Sequence, residues 1–212
     1  MNQHFHQQQG LLNPQMPNNP GGPPDATSNA SAAAPQPTAD VIFYHDSLGK
    51  KVNKTLVKRE GLFTTKVKAL KLGMVRKHLK TIKTSPRLFL IHVGTNDLPT
   101  KDADDVLDEY YELVDEIRER FPTAKILISA LLTRTDELKL QNKVDYINAC
   151  LTIEFETDRF VDVCKHPGVS TDLLWTDKLH LLDAGTRKFS HELRIGVAKT
   201  LNIEVNEKEK GR

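Results

Sequence analysis

The residues of this chain that could carry out hydrolytic chemistry stand in three short segments. The first is His45-Asp46-Ser47-Leu48, the second is Gly94-Thr95-Asn96-Asp97, and the third is Asp177-Lys178-Leu179-His180. Together they contain a serine hydroxyl, an amide side chain, and an imidazole three positions after a carboxylate. These groups could act as a nucleophile, an oxyanion donor, and a general base with the carboxylate that orients it.

Each segment also has an ordinary structural explanation. Ser47 opens a predicted helix and could be its N-cap, because serine is a preferred capping residue. Asn96 follows a Gly-Thr step and could stabilise its own turn. Asp177 and His180 could be unrelated loop residues. Their spacing nevertheless lets the carboxylate accept a hydrogen bond from imidazole Nδ1–H, which leaves Nε2 to take a serine proton.

Four further histidines of the predicted domain are weaker candidates for the base. His92 lies inside a predicted strand, where we expect it to be packed, and His78 and His191 fall within predicted helices. His166 lies in a predicted loop, but no Asp or Glu stands beside it in sequence. The sequence therefore favours His180.

The elements between the segments predict where the segments meet. Predicted strands at 41–44, 65–69, 87–93, 125–132 and 160–163 alternate with helical stripes at 48–57, 72–82, 106–117, 140–151 and 189–201. Gly61 is expected to end the first helix in a left-handed conformation, and Asp183 to be the N-cap of the last. The alternation predicts a flavodoxin-like, three-layer α/β/α sandwich around a five-stranded parallel sheet. Because sites in such sheets form outside the carboxyl ends of the strands, Ser47 and Asn96 should share one edge.

Composition divides the chain into three parts. Gln, Asn and Pro fill 18 of the first 38 positions, so residues 1–39 are predicted to be a disordered tail. Residues 40–203 are predicted to form one domain, and residues 204–212 a charged C-terminal tail. The chain has two cysteines, no signal-like start and no apolar run long enough to span a bilayer, which predicts a soluble intracellular protein, placed in the cytoplasm.

The three segments together resemble the first, third and fifth sequence blocks of the SGNH (GDSL-type) hydrolase superfamily. The resemblance covers about residues 41–201. Within the superfamily the chain is most similar to the esterase-like domains in first open reading frame proteins of LINE-type retrotransposons and their relatives.

This resemblance implies a role for each candidate residue. Ser47 would be the nucleophile, His180 the base, Asp177 its orienting carboxylate, and Asn96 an oxyanion donor together with the Ser47 backbone N–H. The implied activity is hydrolysis of a small ester through an acyl-serine intermediate. The family resembled needs no metal or organic cofactor.

The chain departs from the family pattern at two points. His45 replaces the glycine of the first block. The glycine of the second block, a backbone oxyanion donor, has no clear counterpart: Gly61 suits a helix end, Gly73 falls inside the next helix, and the second strand ends at Ala69-Leu70. If this donor is missing, the resemblance alone does not decide whether the chain turns over an ester.

The uneven distribution of charge supports a second hypothesis. Residues 50–87 contain thirteen Lys or Arg and one acid, whereas residues 101–120 contain nine acids and three bases. The basic segment could contact RNA phosphates or an anionic membrane surface without sequence specificity, or it could simply solubilise two helix faces. The chain could then be a hydrolase-like interaction module with little turnover, whose binding would depend on Lys66, Lys68, Arg76 and Lys77.

Overall fold

The computed structural model describes residues 39–52 and 61–204. Its strands are β1 (Val41–His45), β2 (Thr64–Lys68), β3 (Leu88–His92), β4 (Lys125–Ser129) and β5 (Val161–Cys164). Its α-helices are α1 (Leu72–Leu79), α2 (Ala103–Arg120), α3 (Leu138–Glu154) and α4 (Asp183–Thr200). Two short 3-10 helices, Leu48–Lys51 and Thr171–Leu173, complete the described elements.

The five strands form one parallel sheet in the order β2-β1-β3-β4-β5. The central strands β1 and β3 are buried along their whole length, because each is an almost unbroken apolar run covered on both faces. Helices α1, α2 and α3 pack against one face, whereas α4 and the residues around Leu48 pack against the other. The predicted flavodoxin-like, three-layer α/β/α sandwich is confirmed.

The strand order places the candidate segments at one crevice. The chain leaves β1 toward β2 on one side and later enters β3 on the other, so the connections diverge between β1 and β3. Ligands of open parallel sheets bind at such a switch point. In the register, His45 of β1 pairs with His92 of β3, so the Ser47 and Asn96 loops leave the sheet at the same level.

Of two local predictions, the one for Gly61 agrees with the structure and the one for Asp183 is wrong. Gly61 has the expected left-handed conformation, with φ of +73°. Asp183 is not the N-cap of α4: it is the first helical residue, and Leu182, with extended backbone, occupies the cap position. The Asp183 carboxylate instead pairs with Lys51 Nζ at 3.2 Å.

Several predictions fall on residues that the structure does not describe. The helix expected at 48–57 begins as the first 3-10 helix, and positions 53–60 lie outside the described residues. The same holds for the predicted tails, apart from Ala39 and Glu204. Within residues 39–52 and 61–204, no helix combines the length and apolar character needed to cross a bilayer.

Candidate active site

Ser47 stands on a tight turn at the carboxyl end of β1. Two hydrogen bonds of Asp46 shape this turn: its N–H donates to the His92 carbonyl at 3.1 Å, and its Oδ1 accepts from the Leu48 N–H at 2.9 Å. The Ser47 side chain makes no capping hydrogen bond to the 3-10 helix that follows. Among the described residues, nothing accepts a hydrogen bond from the Ser47 N–H. Both the hydroxyl and the backbone donor are therefore available for chemistry.

Asp177 and His180 lie on a small hairpin before α4. The hairpin is closed by a bridge between Leu174 and Leu181 and by the Trp175 N–H, which donates to the His180 carbonyl at 2.7 Å. Asp177 Oδ1 accepts from the His180 N–H at 2.9 Å, and Asp177 Oδ2 accepts from His180 Nδ1 at 2.8 Å.

The hairpin also fixes the charge of Asp177. Hydrogen bonds from the backbone N–H groups of His180 and Leu179, followed by that from the imidazole, lower the pKa of Asp177 to about 2. The carboxylate is therefore ionised over the whole physiological range. An ionised partner at Nδ1 keeps the proton on that nitrogen, so Nε2 is the free basic atom.

The serine and the histidine meet across the crevice. His180 Nε2 lies 3.3 Å from Ser47 Oγ, within reach of a hydrogen bond that the hydroxyl donates. The order carboxylate, imidazole, hydroxyl is the arrangement by which serine hydrolases activate the nucleophile. The sequence interpretations in which Ser47 only caps a helix, or Asp177 and His180 are unrelated, do not describe these contacts.

Asn96 lies at the same edge but makes a different contact. Its Nδ2 donates to the Leu70 carbonyl on the loop after β2, at 3.1 Å, rather than to its own turn. The turn depends on Gly94, which has φ of +137°; a Cβ at this position would lie 2.7 Å from Tyr110 Oη. Because an amide nitrogen carries two hydrogens, Asn96 keeps one that this bond does not use.

Of the positions considered for the second-block donor, Gly61, Gly73 and the Ala69 N–H cannot supply it. Gly61 precedes β2, and Gly73 lies inside α1. Ala69 is buried, and its N–H donates to the His45 carbonyl at 2.9 Å. The N–H of the next residue, Leu70, has no acceptor among the described residues, so it remains a candidate donor beside the Ser47 N–H and the Asn96 amide.

The crevice beside Ser47 is a shallow cavity of about 380 Å³. It is lined by Leu48, Leu181, Trp175 and Thr186, with Lys50 and Lys51 on its rim. Side-chain exposures of 44% for His180 and 52% for Asp177 show that the site is open to solvent. Lys51 Nζ lies 5.7 Å from the centre of the half-exposed Trp175 ring, so the rim combines a cation with an aromatic face.

The structure also reveals polar residues near the site that the sequence reasoning missed. Asp97 is fully buried: its Oδ2 accepts from the Leu72 N–H at 3.2 Å, and its Oδ1 pairs with Lys101 at 3.1 Å. These bonds tie the Asn96 loop to the start of α1. The signal was an acid directly after a buried strand, where a carboxylate needs partners.

His92 and His166 are also buried, and both bond to Ser129. His92 was expected to be packed, and its exposure of 0% confirms this. His166 has a carboxylate neighbour after all, in Glu192 of α4. His45 is buried as well, and its Nδ1 donates to the Asp46 carbonyl at 2.8 Å. The replacement of a glycine by His45 therefore adds a bond within the turn.

Two of the four side chains on which the basic-surface hypothesis depends have partners within the chain. Lys66 Nζ donates to the Val52 carbonyl at 2.6 Å and to the Gly49 carbonyl at 3.0 Å. Arg76 pairs with Glu112 at 2.5 Å and with Glu116 at 3.2 Å. The described contacts give these two side chains structural roles, and RNA or membrane binding stays an untested hypothesis.

Comparison with known proteins gives structural likenesses only. No protein-family model and no curated protein matches the chain by sequence. Among solved structures, a carbohydrate esterase family 3 protein from Talaromyces cellulolyticus matches with a TM-score of 0.65 at 12% identity, over 78% of this chain and 99% of that one. An acetyl esterase variant with a bound acetate ion matches with a TM-score of 0.63 at 11% identity, over 78% and 99%. A GDSL-like lipase from Bacteroides thetaiotaomicron matches with a TM-score of 0.60 at 13% identity, over 76% and 87%.

The chain thus has the fold of SGNH/GDSL-type esterases and lipases. The expected fold-level resemblance to that superfamily is confirmed. The closer likeness to retrotransposon first open reading frame domains receives no support from these structures and stays a prediction, as does the cytoplasmic location.

Proposed function

We propose that this chain is a serine esterase that hydrolyses an acyl or acetyl ester through an acyl-serine intermediate. The observation that carries the proposal is the contact of His180 Nε2 with Ser47 Oγ, together with the bond of the same imidazole to Asp177. Three side chains from two distant loops meet in the order that nucleophilic acyl transfer requires.

In the first half-reaction, Ser47 Oγ attacks the ester carbonyl carbon while His180 Nε2 takes the hydroxyl proton. Asp177 stabilises the imidazolium that results and keeps its orientation. Negative charge develops on the former carbonyl oxygen, where the Ser47 N–H and the Asn96 amide could donate hydrogen bonds. His180 then returns the proton to the leaving alcohol, and an acyl-serine remains.

In the second half-reaction, water replaces the alcohol. His180 takes a proton from the water as it attacks the acyl-serine, and passes that proton to Ser47 Oγ when the carboxylic acid leaves. The open crevice, with its half-exposed His180, admits water directly to this step.

The shape of the crevice favours a small acyl group on a larger alcohol. The crevice of about 380 Å³ is open to solvent, so a long acyl chain bound in it would stay largely in contact with water. The exposed indole of Trp175 offers a flat apolar surface to a leaving group that extends over the rim. Two structural neighbours, an acetyl esterase and a carbohydrate esterase, support the same preference.

The proposal is tested by active-site labelling and by hydrolysis of p-nitrophenyl acetate. The wild-type chain should react covalently with a fluorophosphonate at Ser47 and turn over the ester. Ser47→Ala should abolish labelling, and Ser47→Ala and His180→Ala should each lower kcat by about 10³-fold or more.

Matched controls come from α4. Ser190, whose hydroxyl bonds to the Thr186 carbonyl within its own helix, and His191, which is exposed, carry the same side chains away from the crevice. Ser190→Ala and His191→Ala should keep wild-type rates. An inert wild-type chain, or full activity in Ser47→Ala, would remove the esterase assignment.

A further inference from the structure

A chain of buried polar side chains runs beneath the candidate site, past the carboxyl ends of β1, β3, β4 and β5. Ser129, at the end of β4, lies between two imidazoles: its Oγ is 2.9 Å from His92 Nδ1 and 2.8 Å from His166 Nε2. The other ring nitrogen of His166, Nδ1, lies 3.4 Å from Glu192 Oε2 on α4. His92 and Ser129 have no exposed surface, and the His166 side chain is 3% exposed.

The other end of this chain reaches the turn that carries Ser47. His92 Nε2 faces Asp46 Oδ1 at 4.0 Å, and the same oxygen accepts the Leu48 N–H that shapes the turn. A second contact ties the two residues together, because the Asp46 N–H donates to the His92 carbonyl. The His92 backbone is thus bonded to the turn next to Ser47, and its ring faces the carboxylate that shapes this turn.

The number of protons, taken together with the contact distances, leaves two possible proton orders in this chain of side chains. Four contacts link Asp46, His92, Ser129, His166 and Glu192. Two neutral imidazoles and one hydroxyl supply about three protons, while both carboxylates can only accept. Burial lowers the pKa of His166 to about 3, and it also lowers the pKa of His92. Neither ring is therefore protonated near neutral pH, and the four contacts share only the protons of neutral groups. One of the four contacts must lack a proton, and it lies at one end because both contacts of Ser129, at 2.9 and 2.8 Å, are hydrogen bonds.

The distances indicate which end lacks the proton. A contact in which a bare imidazole nitrogen faces a carboxylate is repulsive and should be the longest. His92 Nε2 at one end of the chain, and His166 Nδ1 and Glu192 Oε2 at the other, have no hydrogen-bond partner among the described residues. Of the two end contacts, the one of 4.0 Å between His92 and Asp46 is longer than the one of 3.4 Å between His166 and Glu192, so the missing proton is assigned to the His92 end. His166 Nδ1–H then points to Glu192, the Ser129 hydroxyl donates to His166 Nε2, and His92 Nδ1–H donates to Ser129.

We propose that Glu192, His166 and Ser129 are positioning residues that fix the His92 ring and its proton, and through Asp46 hold the Ser47 turn in its reactive geometry. The catalytic part of this inference rests on the proposed esterase function. The proton order and the position of the turn do not depend on esterase activity. Glu192 acts from the last helix on a turn at the start of the domain, through side chains that touch no substrate.

Replacement of Glu192 by glutamine gives a specific test of the proton order. Glu192 Oε1 accepts from the Gly168 N–H at 2.8 Å, so a glutamine can keep that bond with its carbonyl and donate from its amide to His166 Nδ1. The amide then supplies the fourth proton, and the direction of every other hydrogen bond in the chain reverses. His166 Nε2–H donates to Ser129, the hydroxyl donates to His92 Nδ1, and His92 Nε2–H donates to Asp46.

The first experiment records ring ¹⁵N spectra of histidine-labelled protein. Wild type should show His92 as the Nδ1–H tautomer, and Glu192→Gln should show it as the Nε2–H tautomer. An identical His92 tautomer in both proteins, or Nε2–H in wild type, would overturn the proton order. This measurement needs no enzymatic activity, so it decides the matter even if the chain hydrolyses no ester.

The second experiment measures the position of the turn and its effect on rate. Ser129→Ala should shift the backbone amide signals of Ser47 and Leu48 and lower kcat for p-nitrophenyl acetate about tenfold, with KM within about twofold. Glu192→Ala should behave in the same way, whereas Glu192→Gln should keep kcat within about threefold of wild type. Ser190→Ala serves as the control for a lost serine hydroxyl.

The outcomes separate the two proposals. Unmoved Ser47 and Leu48 amides, or a wild-type kcat in Ser129→Ala, would refute the positioning role while the esterase assignment stands. An inert wild type would refute the esterase assignment, and the tautomer and amide shifts would still decide the inference. If Ser129→Ala does not fold, Glu192→Ala takes its place as the test of the turn, and the tautomer comparison of Glu192→Gln with wild type still decides the proton order.

Discussion

Acidification should destabilise this protein well before its carboxylates titrate. The cause is His166, whose pKa burial lowers from about 6.5 to about 3. In the unfolded chain this imidazole takes up a proton as the pH falls below about 6.5, whereas the folded chain excludes the proton until about pH 3. The stabilising contribution is thus complete above pH 6.5 and is lost progressively as the pH falls toward 3.

The magnitude follows from the two pKa values. Between pH 7.5 and 5.0, the unfolded state alone takes up the His166 proton over about 1.5 pH units, and each unit is worth about 1.4 kcal/mol. His166 alone should therefore lower the free energy of unfolding by about 2 kcal/mol. Any folded-state pKa below about 4 gives the same loss at pH 5.0. His92, whose pKa burial also lowers, adds to it.

The pH range in which stability is lost distinguishes the effect of His166 from that of the carboxyl groups. Asp136, Asp158 and Asp177 also have lowered pKa values, but in the unfolded chain such carboxyls titrate near 3.9. Their stabilising contribution is present above that value and is lost only as the pH falls further. A loss of stability between pH 7.5 and 5.0 therefore reports on buried histidines.

Urea unfolding at a series of pH values measures the loss, with wild type compared to His166→Gln and to the exposed control His191→Gln. The His166→Gln chain should lose about 2 kcal/mol less than wild type over this interval, whatever its absolute stability, and His191→Gln should follow wild type. If the stabilities of wild type and His166→Gln show parallel pH dependence, the interpretation that His166 is buried in its neutral form is refuted. An NMR titration of wild type, in which His166 stays unprotonated down to pH 4, checks the same point without a variant.

Three further predictions concern the crevice. Asp177→Asn should keep the fold but lower kcat by about 10²–10⁴-fold, because the His180 proton loses its ionic partner; a wild-type rate in the ester assay would contradict this. Asn96→Ala should lower kcat by about 10²–10³-fold with little change in KM if the amide donates to the oxyanion, and an unchanged kcat would assign it a purely structural bond to Leu70. Gly94→Ala should lower the free energy of unfolding by about 1–3 kcal/mol, from backbone strain and contact with Tyr110, in urea titrations; a neutral effect would show that the turn can relax.

The sheet could be predicted from the sequence because its signals are local. The apolar runs of β1 and β3 and the helical stripes of α2, α3 and α4 each show their period within a few turns, and Gly61 marks its own backbone conformation. Element ends were less well determined. Asp183 is a preferred capping residue by type, but the Leu174–Leu181 hairpin fixes where the chain enters α4 and places Leu182 at the cap.

The structure brings Ser47, Asp177 and His180 together as their predicted roles require, and the roles themselves stay predictions until activity is measured. The Ser129 cluster was beyond sequence reasoning, which looked for a carboxylate beside His166 and found none. Its partner Glu192 lies on the inward side of α4, between the core residues Phe189 and Leu193. An acid within an apolar stripe was the available signal, but only the packing of α4 on the sheet identifies which side chain it meets.

The contact between Ser47 and His180 joins residues 133 positions apart, and the described strands β2 to β5 lie between them. On the ribosome, domains fold as units from the N-terminus as the chain emerges. A nascent chain therefore exposes the proposed nucleophile long before its base has been synthesised. Ester hydrolysis would begin only when α4 has docked, so chains that stall or are cleaved before the last helix would be silent. Activity would then serve as a readout of completed folding in a translation assay.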